Sequence, residues 1–224
     1  ASSIMNLALF DLDNTLLTSD SDFEWSQFLI EKKVLDRKEY ESRNLEFYEQ
    51  YKSGTLDINK FLDFQLQPLS LHPRTQLDDW HNEFMAKKII SQIAPGAYKL
   101  INEHMLGGDL CIIITATNRF VTEPIARILG INNLIATDPD QEDGEFTGRV
   151  SGTPCFREGK IARLEDWMDE HNLTWLSFLE SWFYSDSLND IPLLEKVTNP
   201  VAVDPDSTLE KYAKENNWPI ISLR

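Results

Sequence analysis

The chain has 224 residues, of which 42% are hydrophobic and 11% aromatic, so it can form one full α/β domain and a small accessory domain but not two large ones. Its 37 acidic residues outnumber the 21 basic ones and give a formal net charge of −16. Because this charge repels nucleic-acid backbones and anionic lipid surfaces, we expect no nucleic-acid partner and no membrane partner.

Two cysteines are present, Cys111 in an apolar run and Cys155 in a loop, and their spacing fits neither a metal site nor a CxxC motif. We therefore expect unpaired thiols in a reducing compartment. No N-terminal stretch resembles a signal peptide, and no apolar run approaches the length of a membrane span. The expected location is the cytoplasm, and the expected assembly is a monomer or a homodimer.

An apolar run of strand length begins at Asn6 and stops at two aspartates, Asp11 and Asp13. Side chains two residues apart on a strand lie on the same side of a sheet, so both carboxylates and Thr15 are predicted to face one way. Two carboxylates that are forced together repel each other unless a cation lies between them, so the pattern indicates a divalent-ion site. Taken alone, a strand that ends in a polar turn gives the same spacing.

The segment 18–92 is predicted to be almost wholly helical, with no strand signal. Its predicted helices cover residues 21–33, 36–53, 57–67 and 73–90, from their capping residues and from the breaks at Gly54 and Pro68. Four helices inserted between two strands cannot pack as a short loop connection. We therefore expect an inserted helical cap domain at 18–92 and a core domain made of residues 1–17 and 93–224.

After the insertion, predicted helices alternate with predicted strands to the end of the chain. The predicted strands lie at 109–114, 134–137, 182–184, 200–203 and near residue 220, and glycines in 138–153 indicate a β-hairpin. This alternation predicts an α/β fold with a Rossmann-like, doubly wound, mostly parallel sheet. In such sheets ligands bind beyond the carboxyl ends of the strands.

Further polar motifs follow in a fixed order along the chain. One apolar strand ends in hydroxyls at Thr115, Lys160 opens an amphipathic helix, and a buried strand precedes Asp186 and Asp190. With the sequence DLDNT that begins at Asp11, they resemble the four motifs of the haloacid dehalogenase superfamily: DxDx[TV], a strand ending in Thr or Ser, a Lys, and DxxxD. The spacing is most similar to the phosphoserine-phosphatase-like branch, subfamily IB.

The resemblance implies a phosphatase in which Asp11 is the nucleophile and forms an aspartyl-phosphate. It implies that Asp13 is the general acid and afterwards the base, since phosphatases of the superfamily keep Asp at this position where pump ATPases have Thr. The implied cofactor is Mg²⁺, bound by Asp11, by the backbone carbonyl of Asp13 and by Asp186. Asp190 is expected to act through a water or behind the ligands, or else as an acid that favours a helix start.

The resemblance also implies which residues hold the phosphate. Thr115 and the N–H of Ala116 are expected to bind its oxygens, and Lys160 to offset the charge of nucleophile and phosphate. Asn189 matches the phosphate-contacting Asn of the branch. Asn118 is a further candidate for contact with the phosphate or the substrate.

Substrate specificity is predicted from one agreement with phosphoserine phosphatases and one departure. Asp20 matches the acid that meets the amino group, whereas Gln65 occupies the place of the cap arginine that grips the carboxylate, and no arginine lies between positions 43 and 74. Loss of such a charge-assisted fork costs about 2 kcal/mol in a desolvated site. We therefore expect phosphoserine to be a poor substrate and an amine-bearing phosphomonoester such as histidinol phosphate to be better, unless Lys52 or Lys60 replaces the arginine.

Three alternatives to such a phosphatase stay open. Two are enzymes, a phosphoserine phosphatase and a phosphotransferase or mutase, and the third is a protein that binds a phosphate ligand without turnover. The cap aromatics are expected to form mostly bundle core, with one or two facing the substrate: Phe23, Trp25, Phe28, Phe47, Tyr48, Phe61 and Phe64.

Overall fold

Strands within residues 5–224, the part of the chain that this computed structural model describes, form one sheet. They are β1 (Met5–Phe10), β2 (Leu110–Asn118), β3 (Asn133–Glu142), β4 (Glu145–Ser151), β5 (Phe178–Ser185), β6 (Asn199–Val203) and β7 (Ile220–Ile221). Their order is β4-β3-β2-β1-β5-β6-β7, and all neighbours are parallel except β3 and β4. The predicted α/β, mostly parallel sheet is confirmed. Residues 1–4, which the predicted core domain includes, lie outside the described residues.

The helices of the same residues begin and end close to the predicted positions. They are α1 (Ser21–Glu31), α2 (Arg37–Ser53), α3 (Ile58–Ser70), α4 (Arg74–Phe84), α5 (Ala97–Leu106), α6 (Arg119–Ile128), α7 (Glu158–Glu170), α8 (Ile191–Leu194) and α9 (Ser207–Glu215). The side chains of Asp20, Asp36 and Asp57 accept backbone N–H groups at the starts of α1, α2 and α3. Between Met5 and Arg224, no helix combines the length and the apolar character that crossing a membrane requires.

Strand β1 lies at the centre of the sheet and is buried on both faces. Leu7 and Leu9 enter an apolar cluster with α7, α8 and α9, while Ala8 and Phe10 enter a second cluster on the opposite face. All four side chains are fully buried, as is typical of a central parallel strand. This packing fixes the position of the residues that follow Phe10.

The helical insertion leaves and re-enters the core at one point. Leu17 pairs with Ile93 in an antiparallel bridge, and Ala94 N donates to Leu16 O at 2.8 Å. From there α1 and α4 pack on α6: the Trp25 ring lies 5.2 Å from Phe84 and 5.5 Å from Phe120, centroid to centroid.

The insertion therefore has an apolar core that is continuous with one face of the sheet. The aromatic faces of α1 and α4 are buried against the sheet domain as well as against each other. The division into cap and core domains stays a prediction.

The predicted β-hairpin is confirmed, with β3 and β4 joined by a turn at Asp143 and Gly144. The hairpin contacts the insertion, because Gly148, at φ +88°, lies so near Ser70 that an added Cβ would come within 3.3 Å. The Arg74 guanidinium lies 4.6 Å from the centroid of the Phe146 ring. The hairpin thus supports α3 and the start of α4.

His81 lies at the contact between insertion and sheet domain and is 3% exposed. Its Nε2 donates to the carbonyl oxygen of Val121 at 2.8 Å, and its ring packs edge-on against Phe84 and Phe120. Burial lowers the pKa of His81 below its usual value. The side chain is therefore neutral in the folded protein at neutral pH.

We expect His81 to make folding pH-dependent. An unfolded histidine has a pKa of about 6.5, so below that pH the unfolded chain binds the proton that folded His81 resists, and this contribution to stability, complete at higher pH, is lost. The variant His81→Gln keeps a donor but cannot ionise. Urea titrations between about pH 7.5 and about pH 5.5 should show the free energy of unfolding of the native protein falling relative to that of the variant. A pH-independent difference would contradict this account.

Candidate active site

A cavity that is partly open to solvent lies between the carboxyl ends of β1 and β2 and the helices of the insertion. Its acidic lining residues are Asp11, Asp13, Asp20 and Asp22. Its aromatic lining residues are Phe23, Phe47, Tyr48, Tyr51, Phe61 and Phe156. Among the described residues, no lysine, arginine or histidine lines it. The cavity is therefore acidic at one end and aromatic along its walls.

Asp11 follows the end of β1 and is 3% exposed. Its backbone N–H continues the sheet ladder by donating to Tyr184 O, and its Oδ1 lies 3.2 Å from Lys160 Nζ. Lys160 Nζ also lies 2.8 Å from Asp190 Oδ1, while Ser185 Oγ donates to Asp190 Oδ2 at 2.6 Å. Burial alone would lower the pKa of Lys160, but the charges of Asp11 and Asp190 raise it above its usual value. Lys160 therefore stays charged.

A second carboxylate, Asp186, lies beside Asp11. Thr15 Oγ1 donates to Asp186 Oδ1 at 2.9 Å and lies 3.5 Å from Asp11 Oδ2, so Thr15 links the two. Burial, partly offset by Lys160, raises the pKa of Asp11 to about 7. Burial and the adjacent Asp11 raise the pKa of Asp186 well above its usual value. Such a pair is unfavourable in its doubly charged form unless a cation joins it.

The chemistry of this pair fits Mg²⁺, which prefers hard oxygen ligands and is commonly bound by one or two carboxylates. Within residues 5–224, no three acidic, histidine or cysteine side chains are grouped to hold a metal, so side chains alone do not form a complete ligand set. The Asp190 carboxylate is bound by Lys160 and Ser185, and that of Asp13 accepts from Ser21. The Asp11 and Asp186 carboxylates are therefore the two available to a metal, and the expected ligand set, which adds the backbone carbonyl of Asp13, stays a prediction.

The Asp13 carboxylate is held by hydroxyls from two parts of the chain. Its Oδ1 accepts from the backbone N–H of Ser21 at 2.7 Å and from the Ser21 hydroxyl at 2.6 Å. Its Oδ2 accepts from the Thr117 hydroxyl at 2.6 Å. Because Ser21 begins α1 and Thr117 lies near the end of β2, the first helix of the insertion and the sheet edge together orient Asp13.

The residues expected to bind phosphate are placed unequally. Ala116 lines the cavity, while Thr115 is fully buried beneath it, with its hydroxyl 3.5 Å from Asp13 Oδ2. Lys160 reaches Asp11 from below the cavity. The structure therefore brings all three close to Asp11 and Asp13.

Neither predicted asparagine lines the cavity. Asn118 Oδ1 caps α6 by accepting from Val121 N at 3.1 Å. Asn189 Nδ2 donates to the carbonyl oxygen of Tyr51 at 2.8 Å, and its Oδ1 accepts from Arg157 Nε at 3.0 Å. Since helix capping and a link to α2 occupy these side chains, the structure does not place them as phosphate ligands.

The predicted specificity residues also differ in placement. Asp20 lines the cavity as expected, although its Oδ1 accepts from Phe23 N as the cap of α1. Burial and the nearby Asp13 raise the pKa of Asp20 to about 8. Gln65 does not line the cavity, and neither do Lys52 and Lys60, the lysines that could have replaced the missing arginine.

Sequence reasoning missed three residues of the site: Ser21, Thr117 and Asp22. None of the three is among the residues that the sequence motifs place at the site. The signal for Thr117 was its same-side spacing of two from Thr115. Ser21 and Asp22 carry no such signal, because their role depends on how α1 lies over the sheet.

The fold and the residues around Asp11 define the class of protein to which the chain belongs. A model of the haloacid dehalogenase-like hydrolase family matches residues 8–195, so the chain belongs to this family. It is a phosphatase of the haloacid dehalogenase type. The resemblance inferred from the four motifs is confirmed.

Among the relatives, a histidinol-phosphatase of Neisseria meningitidis serogroup C (strain 8013) is 46% identical over 220 residues, covering 98% of this chain and 99% of the relative. A probable phosphatase of Mycobacterium tuberculosis (strain ATCC 25618 / H37Rv) is 28% identical over 231 residues, covering 96% of this chain and 75% of the relative.

Solved structures show the same fold. A protein of unknown function from Bordetella pertussis Tohama I superposes with a TM-score of 0.93 at 44% identity, covering 99% of this chain and 100% of the other. A phosphoserine phosphatase, solved as a phospho-aspartyl intermediate analogue, gives a TM-score of 0.70 at 19% identity, with 99% and 95% covered. At that identity the second similarity shows the fold alone.

The Thr117 hydroxyl should matter for turnover because it orients Asp13. Thr117→Val removes the 2.6 Å hydrogen bond but keeps the side-chain volume, and Thr117→Ser keeps the hydroxyl. A hydrogen bond to a charged group contributes about 1.5–3 kcal/mol, so kcat for p-nitrophenyl phosphate should fall roughly tenfold or more in the valine variant. The serine variant should stay close to the native protein. Equal rates in both variants would exclude this role.

Proposed function

We propose that the enzyme hydrolyses a small phosphomonoester that carries a nitrogen-based cation and no carboxylate, and that histidinol phosphate is its substrate. The observation that carries the proposal is the cavity lining: four aspartates and, among the described residues, no basic side chain. A substrate carboxylate there would be buried without a partner, whereas a cationic nitrogen would meet acceptors. The histidinol-phosphatase name of the Neisseria relative supports this choice.

The reaction begins with attack by an Asp11 carboxylate oxygen on the phosphorus atom of the ester. A phosphorus–oxygen bond to Asp11 forms as the bond to the substrate alcohol breaks, which gives an aspartyl-phosphate. A water molecule then attacks this phosphorus, the Asp11–phosphorus bond breaks, and inorganic phosphate leaves. The burial of Asp11 next to Lys160 supports this role, because the ammonium stabilises the carboxylate form that attacks.

Asp13 moves the proton in both steps. As a carboxylic acid it donates a proton to the departing alcohol oxygen, and as a carboxylate it then accepts a proton from the attacking water. Its position two residues after Asp11, on the cavity wall, supports this assignment. Ser21 and Thr117 would hold the carboxyl group in one orientation through both steps.

The charge of the phosphate has to be balanced at the Asp11 end of the cavity. Asp11 and Asp186 would hold Mg²⁺ together with the backbone carbonyl of Asp13, and the bound ion supplies positive charge for the phosphate oxygens. Lys160 adds a fixed positive charge behind Asp11, and the N–H of Ala116 provides a donor to the phosphate. These groups explain how a strongly acidic protein accepts an anionic substrate.

The walls of the cavity suit a ring-bearing substrate. Tyr48, Tyr51 and Phe61 belong to the insertion, and Phe156 faces them from the core. Aromatic walls exclude water and provide flat surfaces against which an imidazole ring can pack. Removal of water strengthens the electrostatic interactions at Asp11 and Asp13.

A cytoplasmic location belongs to the same proposal. Burial raises the pKa of the Cys111 thiol to about 11 and that of Cys155 to about 12, so both stay protonated and unreactive. Buried free thiols fit a reducing compartment. The assembly, a monomer or a homodimer, stays a prediction.

The test of the mechanism is phosphate release from histidinol phosphate with Mg²⁺, with excess chelator, and with the Asp11→Asn variant. We expect release with Mg²⁺, loss in chelator, recovery when Mg²⁺ is restored, and no turnover by the variant, because an amide cannot form the phosphoenzyme. Near-native turnover by Asp11→Asn would eliminate the covalent route. Full activity in chelator would eliminate the metal.

The test of the substrate is a comparison of kcat/KM for histidinol phosphate and for phosphoserine. Because no basic side chain of the described cavity can pair with the serine carboxylate, we expect a preference for histidinol phosphate of roughly 30-fold or more, which corresponds to about 2 kcal/mol. The same enzyme preparation and Mg²⁺ concentration serve for both substrates. A clear preference for phosphoserine would show that the proposed specificity is wrong.

A further inference from the structure

Asp22 is a buried acid for which the mechanism above has no use. It is the second residue of α1, it lines the cavity, and it is 6% exposed. Its Oδ1 is fully buried and is the one buried side-chain polar atom within residues 5–224 that has no hydrogen-bond partner. A buried carboxylate oxygen without a partner is costly, so a retained one indicates a partner that arrives from outside the chain.

The backbone under Asp22 is fixed by Gln65. Gln65 Nε2 donates to the carbonyl oxygen of Asp22 at 3.2 Å and to the Ser26 hydroxyl at 3.3 Å, so α3 holds the first turn of α1. Gln65 is 5% exposed and lies behind the cavity wall. With its backbone held from behind, the Asp22 side chain stays at the cavity.

The surroundings of Asp22 define the chemistry of the missing partner. Burial, and then the nearby carboxylates of Asp20 and Asp13, raise its pKa well above the usual value, so the site disfavours a bare negative charge. A cationic group of the substrate would balance the charge of the ionised carboxylate. Aromatic side chains of the same cavity, such as Phe23 and Tyr48, favour a flat or partly apolar group.

We propose that Asp22 is a specificity-determining residue that accepts an N–H of the substrate's cationic nitrogen group where the two meet in the cavity. The inference rests on the proposed function and assigns recognition to Asp22, in addition to the expected Asp20. The Oδ1 of Asp20 already accepts a hydrogen bond as the cap of α1, whereas the Oδ1 of Asp22 has no hydrogen-bond partner among the described residues. A substrate with this nitrogen group thereby gains a hydrogen bond that a phosphate ester without an N–H donor cannot make.

The experiment compares Asp22→Asn with the native protein on two substrates, histidinol phosphate and p-nitrophenyl phosphate, which has no N–H donor. The ratio of the two kcat/KM values does not depend on the fraction of active enzyme, so partial misfolding cannot imitate the effect. We expect this ratio to fall at least about tenfold in the variant. Asp63→Asn is the matched control, because it removes an exposed carboxylate of α3 that does not line the cavity. Its ratio should equal that of the native protein.

A second measurement uses histidinol, which has the nitrogen groups but no phosphate, as an inhibitor of p-nitrophenyl phosphate hydrolysis. We expect its inhibition constant to rise at least about tenfold in Asp22→Asn and not in Asp63→Asn. If the native protein hydrolyses p-nitrophenyl phosphate but neither hydrolyses histidinol phosphate nor binds histidinol, the proposed function itself fails. If the native protein prefers histidinol phosphate and Asp22→Asn keeps both the ratio and the inhibition constant, only the role of Asp22 is overturned.

Discussion

An excess of buried carboxylates over ammonium groups governs the structure at the carboxyl edge of the sheet. Six aspartates gather there with one lysine: Asp11, Asp13, Asp20, Asp22, Asp186 and Asp190 with Lys160. Lys160 pairs with Asp11 and Asp190, and charges in a weakly screened interior interact strongly. The uncompensated carboxylates therefore favour positive charge at two places, one between Asp11 and Asp186 and one at Asp22. The first suits a metal and the second a cationic nitrogen, so a single imbalance underlies both the proposed cofactor and the proposed substrate preference.

Such an arrangement is costly, and the rest of the fold offsets the cost. Buried, unpaired carboxylates destabilise a folded chain, whereas each fully buried large apolar side chain contributes about 1.5–3 kcal/mol. Strand β1 places apolar side chains in clusters on both of its faces immediately before Asp11. A strand buried on both faces thus ends at an electrostatically unfavourable position. Rigid packing of this kind keeps reacting groups in place without adjustment by the substrate.

The sequence was sufficient for the strands, the helices and the residues near Asp11, because apolar periodicity, capping residues and strand ends are local signals. It was insufficient where the outcome depends on how the insertion lies on the sheet. Periodicity shows that the faces bearing Trp25 and Phe84 are buried but not what covers them, so the continuous core could not be foreseen. For the same reason the sequence indicates neither the contact of Asn189 with α2 nor the positions of Ser21, which donates to Asp13, and Asp22, which lines the cavity.

The insertion is attached to the core in two different ways. At its root, Trp25 and Phe84 pack with Phe120 in the large apolar cluster. At its front, a small cluster around Phe156 and polar links such as that from Asn189 to Tyr51 close the cavity. The root cannot separate without exposing aromatic rings of the large cluster, whereas separation at the front would expose only the small cluster around Phe156. The insertion is therefore anchored unequally, by a large apolar contact at its root and by a small apolar cluster with a few polar links at its front.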